Sequence, residues 1–75
     1  MIQDNFSLLK RVSENIRYFR TVNNLSQEEL ANLAELDRTY ISGVERGVRN
    51  LTINSLEKII QALNISNEDF FKTMF

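Results

Sequence analysis

Two short helical patterns separated by only three residues, Glu35, Leu36 and Asp37, constrain this chain more than any other feature of its sequence. The first opens at Ser26, whose spacing to Glu29 makes an S-x-x-E capping box: each side chain accepts a backbone N–H that the start of a helix leaves unpaired. It predicts a helix over about residues 27–34. Asp37 is the next N-cap candidate, and the pattern behind it, with Ile41 and Val44 inward, runs to Arg46 before Gly47 offers a permissive stop. So short a joint forces the two helices to cross steeply. A close crossing needs a small residue at the contact, which Ala31 supplies, while Leu30, Ala34, Leu36, Ile41 and Val44 give both helices apolar inner faces.

The rest of the chain builds a support for this pair. Phe6, Leu9, Val12, Ile16 and Phe19 recur at helical spacing and predict a first helix over 6–22, broken by Asn23 and Asn24. Thr52 caps a fourth helix with Ile53, Leu56, Ile59, Ile60 and Leu63 on its apolar side, which Asn64 ends in the left-handed conformation. Ser66 and Asp69 open a fifth over 67–74. The expectation is an all-α single domain over 1–75 with five helices and a helix-turn-helix at about 26–47. No apolar run approaches a membrane span, and MIQDNFSLLKR lacks the basic-then-apolar order of a signal peptide, so the expected setting is the cytoplasm. Cys and His are absent, which removes thiol and imidazole chemistry and the usual zinc ligands. A binding module without metal, cofactor or small-molecule effector is therefore expected, rather than an enzyme.

The outward face of the third helix reads Arg38, Thr39, Tyr40, Ser42 and Gly43, with Arg46 and Arg49 just beyond. It is rich in donors and contains no acid. Such a face suits a DNA major groove: Arg reaches guanine O6 and N7 bidentately, Thr offers a methyl and a hydroxyl, and Tyr or Ser can hold phosphates. The first turn matters most, because recognition helices enter the groove N-terminus first. A net charge of −1 and a pI near 5.3 are not the footprint of a basic DNA binder. Residues 38–52, however, carry Arg38, Arg46 and Arg49 against Glu45 alone. Weak non-specific binding and a modest salt dependence follow, since few phosphates can be neutralised.

The segment SQEELANLAELDRTYISGVERG resembles the helix-turn-helix of the phage-repressor-like (Cro/C1, or XRE) DNA-binding family, a likeness that extends over nearly the whole chain. It implies a five-helix, lambda-repressor-like domain. Within that family, DRTYISGVERGVRNLTINSLEKI, residues 37–59, is similar to the controller proteins of restriction-modification systems. Those are homodimeric transcription regulators that act on palindromic operators near their own promoters, activating at low level and repressing when a second dimer binds. The resemblance implies that Arg38 and Thr39 read bases, that Tyr40 faces the centre of the site, and that Arg49, with Arg46 nearby, assists at the groove edge. Gln27 matches a phosphate-gripping position, which the positive end of a helix also favours. Ser42, Asn50 and Ser55 match further backbone contacts, and Arg20 with Glu45 matches an ion pair inside the domain. Two departures stand out. Glu35 occupies a position where the family's turn often has Gly in the left-handed conformation, which implies a reshaped or mildly strained turn, and no Pro precedes the fourth helix.

Several residues admit two readings. Glu28 either stabilises the start of the second helix through its charge or, as the likeness to activating repressors suggests, meets a basic patch on an RNA polymerase sigma factor. Tyr40 lies off the inward phase of Ile41 and Val44, so it is expected to be exposed. Lys10, Arg11 and Arg17 fit a solvated helix surface better than a phosphate site. Phe70, Phe71, Met74 and Phe75 crowd the C-terminal segment 66–75 and read as a dimer face, with Leu56 and Ile60 as partners; packing inside the monomer is the alternative. Self-association also suits a domain this small, whose core alone is marginal. An antitoxin or other interaction module that masks a partner with this helix, or a phage-type repressor, remains as an alternative function.

Overall fold

The computed structural model describes residues 7–74, among which there are five helices and no strand. They are α1 (Leu8–Val22), α2 (Gln27–Ala34), α3 (Arg38–Glu45), α4 (Ile53–Ala62) and α5 (Asn67–Lys72). Four of them start on a hydroxyl cap. Ser7, Ser26, Thr52 and Ser66 each accept the backbone N–H three residues on, at 3.0–3.3 Å. At Ser26 the box is complete, since Glu29 Oε1 accepts the Ser26 N–H at 2.8 Å. Ser7 sets the start of α1 two residues later than the apolar spacing predicted, and Phe6 lies outside the described residues. Asp37 departs from expectation: it holds the N-cap position with extended backbone, but its side chain makes no capping hydrogen bond.

The first four helices stop by reversing the sign of φ. Asn24, Glu35, Gly47 and Asn64 have φ of 58°, 58°, 73° and 62°. After α2, the Leu36 N–H donates to the Ala31 carbonyl at 2.8 Å and the Glu35 N–H to Asn32 at 3.2 Å. After α3, Val48 donates to Gly43 and Gly47 to Val44, both at 3.0 Å. This is the Schellman pattern, which satisfies carbonyls that a helix end leaves unpaired. Glu35 therefore keeps the left-handed turn in spite of its Cβ, so the turn is not reshaped but carries the steric cost of a side chain in that region.

The core gathers Val12 and Ile16 from α1, Leu30, Ala31 and Ala34 from α2, Ile41 and Val44 from α3, and Leu56, Ile59, Ile60 and Leu63 around α4. Ala31, 1% exposed, lies buried where α2 packs on its neighbours, as the steep crossing required. Polar ties fasten the outer helices. Asn23 Nδ2 donates to the Leu63 carbonyl at 3.0 Å, and Asn15 Nδ2 to Phe70 at 2.7 Å. Arg11 Nη1 donates to the Met74 carbonyl at 3.0 Å, so this arginine secures the turn after α5 and is not merely part of a solvated surface.

The C-terminal aromatics require a correction. Phe70 is fully buried, its ring 5.9 Å from that of Phe19, and Met74, four residues on, is 8% exposed. Ile60 and Leu56 are buried as well. Phe70 and Met74 lie inside the monomer because α5 is short and has one inward phase, which they take, while Leu56 and Ile60 sit on the inner side of α4 and reach the surface only as lining of a groove. Phe71 points the other way and is 37% exposed, while Phe75 lies outside the described residues.

Replacing Glu35 by Gly removes the left-handed Cβ penalty, of order 1–2 kcal/mol, against a smaller gain in unfolded-state entropy. Glu35→Gly is expected to raise stability by about 1 kcal/mol, seen as a urea midpoint higher by roughly 1 M at unchanged slope.

Candidate nucleic-acid interface

The first turn of α3 presents Arg38 and Thr39 to solvent, and Arg46, Arg49 and Asn50 are exposed in and before the loop that leads to α4. Tyr40 is half-buried, not exposed as its phase suggested. Its ring packs against the edge of the core, its hydroxyl donates to the Asn50 carbonyl at 3.3 Å, and the Arg49 guanidinium carbon lies 5.2 Å from the ring centroid. That is cation–π distance. Gly43 also departs from the predicted outward face. It is buried, because the loop after α3 folds back over it. Ser42 and Ser55 are half-buried, Ser55 in the first turn of α4 with its N–H held by Thr52.

Gln27 is placed differently from a simple phosphate grip. Its side-chain amide donates to Glu45 Oε1 at 3.1 Å, so the amide is already engaged within the protein. Its backbone N–H, at the first position of α2, lies among those a helix leaves without an internal carbonyl partner. The Glu45 carboxylate is held more firmly by Arg20, whose Nε donates to Oε2 at 2.6 Å and Nη2 to Oε1 at 3.0 Å. A third donor on Arg20, Nη1, reaches the Leu25 carbonyl at 2.8 Å. The Glu45 side chain is only 3% exposed and that of Arg20 15%. The expected internal ion pair is thus present, with Gln27 as a member the sequence did not reveal. Nothing in the spacing couples Gln27 to Glu45, 18 residues apart, until α2 and α3 cross.

With Glu45 neutralised by Arg20, the acidic count of residues 38–52 falls away from the surface and the three arginines remain. Elsewhere Glu28 is exposed on the first turn of α2. An apolar groove of about 170 Å³ is lined by Ile53, Leu56, Ile60 and Phe71, with Glu57 and Asn67 at its polar edge. Ile53, 79% exposed, is its most accessible apolar member. Spacing places Ile53 on the apolar side of its helix, but directly after the Thr52 cap, at the helix end, it overhangs the core.

Removing one partner of so buried a pair strands the other charge, at a cost on the order of 3–5 kcal/mol. Glu45→Ala is expected to lose that much in chemical denaturation, read as a lower urea midpoint at unchanged slope.

The sequence pattern of the helix-turn-helix family matches residues 16–70. Control protein C.SmaI of Serratia marcescens is 51% identical over 55 residues, which cover 73% of this chain and 66% of that protein. Control protein C.BamHI of Bacillus amyloliquefaciens is 50% identical over 46 residues, covering 61% and 57%. The chain thus spans between 57% and 66% of the length of these relatives. The crystal structure of the restriction-modification controller protein C.Esp1396I is 49% identical and superposes with a TM-score of 0.88, covering 89% of this chain and 88% of that one. That protein has also been solved as a tetramer on its natural 35 base-pair operator. Other structures of it replace, one at a time, an Arg, a Thr and a Tyr that are consecutive, and Arg38, Thr39 and Tyr40 form the one such run here. The chain belongs to the helix-turn-helix family, in the group of the restriction-modification controller proteins.

Proposed function

We propose that this protein is a sequence-specific, homodimeric transcription regulator that controls a restriction-modification operon from its own promoter in the cytoplasm. One observation carries the reading: the acid-free first turn of α3, with Arg38 and Thr39 exposed, in a chain similar to a controller solved on its operator. Arg38 and Thr39 read base edges in the major groove, and Arg49 and Tyr40 act beside them. Arg46, Ser42, Asn50 and Ser55 hold the backbone, as does the N-terminus of α2 through the Gln27 N–H rather than its amide. The helix-turn-helix unit is 26–47.

Dimerisation uses the groove of Ile53, Leu56, Ile60 and Phe71 against its copy, with the segment 66–75 contributing chiefly through Phe71. A two-fold dimer sets two recognition helices about 34 Å apart, one turn of duplex, and so selects a palindromic site. Control then follows protein concentration: a first dimer activates and a second, bound beside it, represses. Glu28 meets the polymerase sigma factor in the activating complex. The burial of Phe70 and Met74 leaves less apolar surface to mask a partner, which weakens the antitoxin alternative.

Fluorescence-anisotropy titration on duplexes tiled upstream of the gene, at two salt concentrations, tests the reading. Arg38→Ala is expected to weaken the selected site by about 1–3 kcal/mol; equal binding to scrambled duplex overturns the proposal. Ile53→Asp is expected to leave a folded monomer in sedimentation at concentrations where the wild type is dimeric, with weaker operator binding. For Glu28→Ala, operator affinity should hold while activation in a reconstituted transcription assay drops; activation at the wild-type level removes the sigma contact.

A further inference from the structure

Gly43 sits inside an eight-residue helix, where glycine is a poor helix former and alanine the best one. Its backbone offers no reason for the choice, since the positive φ values belong to Asn24, Glu35, Gly47 and Asn64. Space does. A Cβ at residue 43 would stand 3.1 Å from the Arg49 Cβ and 3.9 Å from both its Cγ and Nε. The chain is brought there by the end of α3, where Gly47 at φ 73° turns it back and the Val48 N–H closes on the Gly43 carbonyl at 3.0 Å. Arg49 therefore lies across α3 in a notch one methyl deep. Its far end rests over the Tyr40 ring at 5.2 Å, and the Tyr40 hydroxyl holds the next carbonyl, that of Asn50, at 3.3 Å.

We infer that Gly43 is a positioning residue for DNA reading: its missing side chain is the notch in which Arg49 lies, and it fixes where the Arg49 guanidinium stands over Tyr40. A long, mobile side chain is thus ordered before any duplex arrives, which reduces the conformational entropy that binding must remove. Filling the notch shifts the base of the Arg49 side chain by a few tenths of an ångström and so changes where it stands over the ring. The inference rests on the DNA-reading proposal for its consequence, and on the protein alone for its geometry.

Two measurements test these separately. In the free protein, two-dimensional NMR is expected to show cross-peaks between the Arg49 side chain and the Tyr40 ring, with ring-current shifts on the Arg49 methylenes. Gly43→Ala should weaken the cross-peaks and reduce the shifts while the amide pattern of α1, α2 and α4 is preserved. Absence of those cross-peaks in the wild type, or unchanged cross-peak intensities and shifts in Gly43→Ala, overturns the notch. If Gly43→Ala does not fold, Arg49→Gly in the same chain removes the clashing Cβ and should restore folding; failure to do so also overturns it.

For the consequence, anisotropy is read on a duplex selected by the wild-type protein from a randomised pool. Gly43→Ala and Arg49→Ala are each expected to weaken binding about tenfold, and the double variant no more than either alone. Wild-type affinity for Gly43→Ala, or losses that multiply in the double variant, overturn the link through Arg49. Should the wild type select no sequence from the pool, the DNA-reading proposal fails, and the NMR result still decides the notch.

Discussion

The Glu45 carboxylate accepts hydrogen bonds from Arg20 Nε, Arg20 Nη2 and Gln27 Nε2, and so binds the last turn of α3 to both α1 and α2. Taking a carboxylate and a guanidinium out of water costs several kcal/mol per ion, which only close, well-directed partners offset. That condition locks the geometry. If α3 rotated or slid by one residue, the carboxylate would lose donors it cannot replace, so the pair specifies one crossing of α2 and α3 more than it adds stability. Arg20 Nη1 extends the lock to the Leu25 carbonyl, in the turn that leads into α2. The orientation of the first turn of α3, and hence of Arg38 and Thr39, depends on this point.

The same contact settles an electrostatic question. An acidic protein is a poor non-specific ligand for DNA, because phosphate neutralisation supplies most of that affinity. By turning Glu45 inward, the fold leaves Arg38, Arg46 and Arg49 as the charged side chains exposed on residues 38–52. The net charge of −1 is therefore compatible with one positive face. For the proposed DNA reader this keeps the sequence-independent part of the binding energy small, which favours discrimination between sequences.

Much of this was legible in the sequence because it depends on short-range chemistry. Ser26 with Glu29 and Thr52 and Ser66 as caps are local hydrogen bonds over three residues, and the stripes of Val12 and Ile16 or of Ile59, Ile60 and Leu63 follow helical period. Asn64 and Gly47 at the helix ends obey the same local rule. At three positions where the structure differs from what local pattern predicts, a neighbour from elsewhere in the chain intervenes. Phe70 was drawn into the core by Phe19, Arg11 by the Met74 carbonyl, and Tyr40 by Asn50 and Arg49. Asp37 lost its cap bond although its type and position suited one.

By itself, then, the sequence determined five helices, their order, the short α2–α3 joint and the acid-free run from Arg38 to Ser42, since each is written in residues within a few positions of one another. Only the tertiary structure decided which aromatics remain at the surface, that Gln27 gives its amide to Glu45, that Gly43 is roofed by Arg49, and that Ile53 and Phe71 share one groove. The physical reason is reach. Caps and periodicity act within one or two turns, whereas burial, ion pairing and close approach depend on helices that meet across tens of residues and on the space each leaves the other.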